Sequence, residues 1–187
     1  GNFIDVDDDP QWTLDRLRIL QASGILDDGF QPTTRFIEIV VQGEAARGPE
    51  AFNEIRVEMK GICNECHSKG YVNSHFEASD AVIKASDNKV ADAIQAVQDL
   101  YKDGILEKPE DWRQYAPDLL RYYEAKTNIE QNLYKAMLEY RQRAFQGAFH
   151  ASNDYMHWYG WAPLNSAVNV ILEEAKHMRE EHEAKLN

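Results

Sequence analysis

The only two cysteines of the 187-residue chain stand three positions apart, with a histidine directly after the second, in the run Cys63-Asn64-Glu65-Cys66-His67. This C-x-x-C-H spacing puts two thiols on one turn, where they can add across the two vinyl groups of a porphyrin while the adjacent imidazole reaches the iron. It predicts one covalent c-type haem, haem c, attached through Cys63 and Cys66 with His67 as the proximal iron ligand. Two rival uses of C-x-x-C fit less well. A redox dithiol belongs in a strand-to-helix context with a proline nearby, and neither is evident. A structural zinc ion takes four ligands, and the six histidines (His67, His75, His150, His157, His177 and His182) lack finger-like spacing.

The length is that of one domain, residues 1–187, with a haem-binding segment over 1–70 and a long-helix region over 71–187. A formal net charge of -12 argues against nucleic acid and anionic membrane surfaces as partners. No apolar run approaches the roughly twenty residues of a membrane span, and the N-terminus lacks the basic-then-apolar layout of a signal peptide. The chain therefore reads as mature, processed or excised. Because bacteria attach covalent haem beyond the cytoplasmic membrane, the expected location is periplasmic or otherwise exported.

Residues 1–10 carry Asp5, Asp7, Asp8 and Asp9 and end at Pro10, which suits an extended, solvated entry. A calcium loop would need a glycine and a terminal glutamate that are missing here. Leu14, Leu17, Ile19 and Leu20 predict a short helix closed by Gly24. The run from Phe36 to Val41 fits either a strand or a buried helical turn. Gly48-Pro49 opens a helix bearing Phe52, Ile55, Arg56 and Met59 that leads into the cysteines, its apolar face towards the porphyrin edge. Val90, Ile94, Val97 and Tyr101 then place one long helix over 71–103, ended by Gly104. A turn at Glu107–Glu110 precedes a second long helix, capped by Asp111, in which Ile129, Leu133, Met137, Tyr140 and Ala144 repeat at helical steps. Lys126, Glu130 and Arg141 fall on its polar side. After an aromatic turn at Trp158–Trp161, Pro163 starts a last helix with Leu164, Val168, Ile171, Leu172 and Ala175 on one face. Short connections make the three long helices antiparallel neighbours, so the predicted class is all-α, with a three-helix C-terminal bundle.

The distal iron position is open at this level. His75 lies eight residues beyond His67 near the same helix start and is poorly placed to reach the opposite face of the ring. His150 falls in an irregular break between two helices, where an imidazole can be aimed inward or can simply cap. His157 competes from the aromatic run Tyr155-Met156-His157-Trp158-Tyr159. His177 and His182, among glutamates, suit a solvated face. Trp158, Tyr159 and Trp161 fit a cofactor wall or plain core.

Two segments carry a family likeness. Arg56-Val57-Glu58-Met59, leading into Cys63 to Ser68 and then an unbroken helix, resembles the last haem motif and C-terminal helices of the octahaem hydroxylamine oxidoreductase-like cytochromes. Gly147-Ala148-Phe149-His150, with Asn153-Asp154-Tyr155, His157-Trp158 and Gly160, resembles the helix-breaking histidine segment that these proteins share with multihaem nitrite reductases. The similarity runs from about Trp12 onward. It implies stacked haems for electron transfer, a trimer-based oligomer with long C-terminal helices at the contacts, and His150 as an axial metal ligand. In the related nitrite reductases the corresponding histidine serves a haem bound earlier in the chain. Some oxidising members cross-link a tyrosine to a neighbouring subunit's catalytic haem, and Tyr140 stands near that position. The departure is large, since this chain has one haem motif where the family has eight.

Three functions follow. The first is a c-type cytochrome passing electrons within a hydroxylamine oxidoreductase-like assembly acting on inorganic nitrogen compounds, with other haem-bearing chains or a basic redox protein as partner. The second is an independent monohaem carrier or gas-binding protein. The third is a structural helical module that holds an oligomer together.

Overall fold

In the computed structural model, residues 9–37, 49–110, 112, 114–119 and 126–186 are described. The chain is all-helical there: no β-strand occurs among the described residues, and the only bridge is Leu26 to Pro32. The helix α1 (Pro10–Ala22) begins as its residues dictate, with Asp9 as N-cap accepting from the Trp12 backbone N–H and proline at the first position. Gly24, at φ 69°, supplies the left-handed residue that ends it. A single turn, α2 (Thr34–Phe36), is capped by the Thr33 hydroxyl. Asp5, Asp7, Asp8 and most of the run from Phe36 to Val41 lie outside the described residues.

Pro49 opens α3 (Pro49–Asn64), and α4 (Lys69–Lys102) is the central helix of the fold. Ser68 caps α4 by accepting from the Tyr71 N–H, and Gly104, at φ 68°, closes it. Val90, Ile94 and Val97 are completely buried, as their spacing requires. Besides α3, three elements pack on α4. The first is α1; the second runs through α5 (Asn128–Lys135), a π-helical turn (Ala136–Tyr140) and α6 (Arg141–Phe149); the third runs through α7 (Asn153–Tyr155), a second π turn (Met156–Trp161) and α8 (Ala162–Leu186). Contacts between Tyr101 and Glu130, Asp87 and Arg141, and Ser79 and Ala148 fix the second element antiparallel to α4. The tie from Arg179 to Asp103 fixes α8 parallel to α4. Ile129, Leu133, Leu164, Val168 and Ile171 join the core between them.

Three expectations are corrected. The second long helix starts at Asn128, capped by a box of Thr127 and Glu130, and not at Asp111, which lies outside the described residues. Residues 114–118 are irregular because Pro117 restricts the residue before it, and the Asp28 carboxylate holds the N–H groups of Tyr115 (2.9 Å) and Ala116 (3.2 Å). The last α-helix, α8, begins at Ala162, next to the expected Pro163, but the aromatic run before it is no turn: it is a π-helical stretch, and the helical run reaches back without a break to Asn153. The second π turn ends at Trp161, two residues before that proline, which stands second in α8, in the first turn where a missing N–H is tolerated. Finally, Glu130 and Arg141 are buried, not on a polar face, while Leu172 faces outward. Glu130 accepts from the Tyr101 hydroxyl and from the Thr127 N–H (3.0 Å). Arg141 meets Asp87, a fully buried carboxylate that also accepts from the Trp12 indole at 2.8 Å and from Arg16 at 3.1 Å.

Candidate functional site

The C-x-x-C-H run forms the turn between α3 and α4. Past Asn64, the Cys66 N–H donates to the Cys63 carbonyl at 3.3 Å and the His67 N–H to the same carbonyl at 3.0 Å, so both thiols and the imidazole share one turn of chain. Both cysteines are free and exposed, and His67 is exposed as well. The His67 ring lies 4.9 Å from that of Tyr71, tilted by 30°.

On α3, Ile55, Met59 and Ile62 follow one another at four- and three-residue steps, which is one side of a helix, and Cys66 comes four residues later in the turn past Asn64. Ile62 is 64% and Tyr71 59% exposed. An apolar stripe that leads to two free thiols and meets water is unusual on a soluble surface and calls for a cover. The neighbouring side of α3 is occupied. Arg56 makes a two-pronged ion pair with Asp80 (3.2 and 2.6 Å) and sits 4.9 Å over the Phe76 ring, while Lys60 donates to Asn73 at 3.1 Å. These contacts hold the hairpin and leave the stripe clear.

The donor set fits a covalently held haem: two thiols on one turn, an imidazole beside them and an uncovered apolar wall. Cys63 and Cys66 would hold it by thioether bonds and His67 would take the iron. Among the described residues no group of three or more His, Cys, Asp or Glu side chains is arranged to hold a bare metal ion.

The other histidines stand apart from this turn. His150 is the exposed C-cap of α6. The adjacent Ala148 carbonyl accepts from Ser79 at 3.0 Å, and Ser79 lies ten residues into α4, about 15 Å along the axis from its start. His150 therefore stands roughly three turns from the motif, at the rim of a cleft with Phe149 and Gln146. His75 is half-buried on α4, its carbonyl also accepting from Ser79. His157 packs edge-on against Trp158, with ring centroids 4.7 Å apart, and both are exposed. His177 is solvated and pairs with Glu181 at 3.2 Å.

Sequence reasoning passed over two positioning features near His150. Gly160 lies so close to α6 that a Cβ there would stand 2.3 Å from the Ala144 backbone nitrogen, and one on Gly147 would stand 2.5 Å from the Met156 backbone. The α6 helix and the second π turn thus meet backbone to backbone, and Ala151, at φ 53°, makes the reversal between them. The paired glycines thirteen residues apart were the available signal. No helix of the described residues is long and apolar enough to cross a membrane. No protein-family model, curated protein or solved structure matches the chain.

Proposed function

We propose that this chain is a c-type cytochrome that carries one haem at the α3–α4 turn and passes electrons within a larger, hydroxylamine oxidoreductase-like assembly acting on inorganic nitrogen compounds. The observation that carries the reading is the exposed pair Met59 and Ile62 on α3, with both thiols and His67 exposed just beyond them. A covalent haem there supplies a one-electron Fe(III)/Fe(II) couple. The chain's part is to fix the group by Cys63 and Cys66, to set one axial position with His67 and to offer Met59, Ile62 and Tyr71 as a wall that excludes water from one side.

One helical hairpin walls only one side, which favours an assembly over a self-contained carrier. The remaining cover, and with it the second axial ligand, would come from another chain or from the His150 segment of a neighbouring copy. Tyr155, Trp158 and Tyr159 form an exposed aromatic run, with the two tyrosine rings 5.4 Å apart, that suits such a subunit contact. That run equally supports the third reading, a helical module that holds an oligomer together. The acidic surface suits a basic redox partner, and attachment of haem calls for a periplasmic or otherwise exported location.

The test is to produce the chain in cells equipped for haem attachment and record its intact mass, visible spectrum before and after dithionite, and oligomeric state. A mass gain of one haem with a sharp low-spin reduced band in an oligomer supports the proposal. A haem-free oligomer would leave only the structural module.

A further inference from the structure

Arg16 on α1 and Arg141 on α6 share a single buried carboxylate, Asp87. Both oxygens of that carboxylate are occupied, Oδ1 by Nε and Nη2 of Arg141, Oδ2 by Nη1 of Arg16 and the Trp12 indole. Two guanidiniums against one carboxylate leave one positive charge in excess. A guanidinium offers five N–H donors. Asp87 takes two groups of Arg141 and one of Arg16, and the described residues provide no further acceptor for either side chain. Burial, and after it the neighbouring charge of Arg16, pull the Arg141 guanidinium below its ordinary value against the opposing pull of Asp87.

Both arginines face a cleft of about 370 Å³ between α1 and α6. The wall is not only basic. Phe145 and Phe149 lie one helical turn apart along it, with the Arg141 guanidinium 4.3 Å from the Phe145 ring centroid, and Gln142 and Gln146 supply amides. The donors that Asp87 leaves unused, Nη1 of Arg141 and Nε and Nη2 of Arg16, match a carboxylate, the excess of one charge matches a monoanion, and the phenyl rings match an apolar body. The chain as a whole repels anions at a net charge of -12, so any anion held here is held by this local geometry.

We propose that the cleft between α1 and α6 binds a small organic monocarboxylate with an apolar or aromatic body, its carboxylate on Arg16 and Arg141 and its body against Phe145 and Phe149. This cleft lies apart from the chain's own haem turn, and its occupancy does not require haem.

The test is isothermal titration of benzoate into the full chain at neutral pH, with benzyl alcohol and nitrate as controls. Benzoate is expected to bind saturably at one site, benzyl alcohol not to bind, and nitrate to bind at least tenfold more weakly. Arg141 cannot be truncated safely because Asp87 would be stranded. Arg16→Gln, on the partly exposed partner, is expected to weaken benzoate at least tenfold with an unchanged circular dichroism spectrum. Gln146→Ala, outside the ion cluster, is expected to weaken it several-fold. No saturable heat with benzoate, equal binding of benzyl alcohol, nitrate binding as tight as benzoate, or unchanged affinity in folded Arg16→Gln would each overturn the proposal.

Discussion

Asp87 accepts both Nε and Nη2 of Arg141 on one oxygen, at 2.7 and 2.6 Å, with no exposure of its own side chain. Its other oxygen takes Trp12 and Arg16, so a single carboxylate on α4 ties α1 to α6. Removing one partner of such a pair leaves a buried charge without compensation, which costs about 3–5 kcal/mol. Asp87→Ala is therefore expected to lose that much in urea unfolding, with Trp12 fluorescence changing as α1 loosens. The exposed pair Lys176 and Glu180, at 3.8 Å, is the contrast, and Lys176→Ala should cost less than about 1 kcal/mol.

Two glycines predict opposite signs. An alanine at Gly160 would drive its Cβ to 2.3 Å from the backbone of Ala144, which cannot yield as a flexible side chain would. Gly160→Ala should destabilise by about 1–3 kcal/mol or more and splay α6 from the π turn. Gly61 lies inside α3 with open space where a Cβ would go. Gly61→Ala should raise the stability of α3 by about 0.5–1 kcal/mol, read as slower amide exchange along that helix.

The contrast between these positions also explains what could be read from the chain alone. Helix α4 was legible because its signals are local: Val90, Ile94, Val97 and Tyr101 at helical spacing and a glycine at its end. The same holds for the end of α1 at Gly24, whereas Asp9 and Pro10, assigned to the extended entry, cap and start that helix. Asp87 and Arg141 are 54 positions apart, and each alone looks like a solvated charge, so their burial was not legible. The start of the second long helix was misplaced because the carboxylate that pins residues 115 and 116 belongs to Asp28, far back in the chain. At the candidate site, the motif and its turn were local and readable. The uncovered stripe beside it became visible only once Arg56 and Lys60 were seen to occupy the adjacent side.

Asp9 gives the fold an acid-sensitive end. Its carboxyl is held below the ordinary 3.8, first by the hydrogen bond from the Trp12 backbone N–H and then by that from Lys84. A carboxyl with a lowered folded value contributes stability that is fully present above the unfolded value and is lost as pH falls through the folded one. Thermal unfolding followed from neutral pH into acid should therefore show a loss below about pH 3.8 in which Asp9 takes part. Asp9→Asn keeps a good cap but cannot titrate. It should unfold close to the parent temperature in acid and below it at neutral pH. An identical pH profile for parent and variant would remove Asp9 from the account.

The cysteines separate folding from function. Cys63, Cys66 and His67 are exposed and lie outside the hydrophobic core, so their side chains add little to the stability of the unloaded chain. Cys63→Ala, Cys66→Ala and His67→Ala should each leave unfolding of haem-free protein within about 0.5 kcal/mol of the parent, the usual range for surface substitutions. Made in cells equipped for haem attachment, the doubly substituted Cys63→Ala, Cys66→Ala chain should show no covalent mass gain. Each single cysteine variant should show a reduced yield, because one thioether bond remains. His67→Ala should keep both thiols and change the spectrum instead, towards high spin, because on the proposed attachment it would remove an axial ligand and not an attachment point. Full covalent loading of the doubly substituted chain would place the attachment elsewhere, and a His67→Ala spectrum identical to the parent's would take that imidazole off the iron.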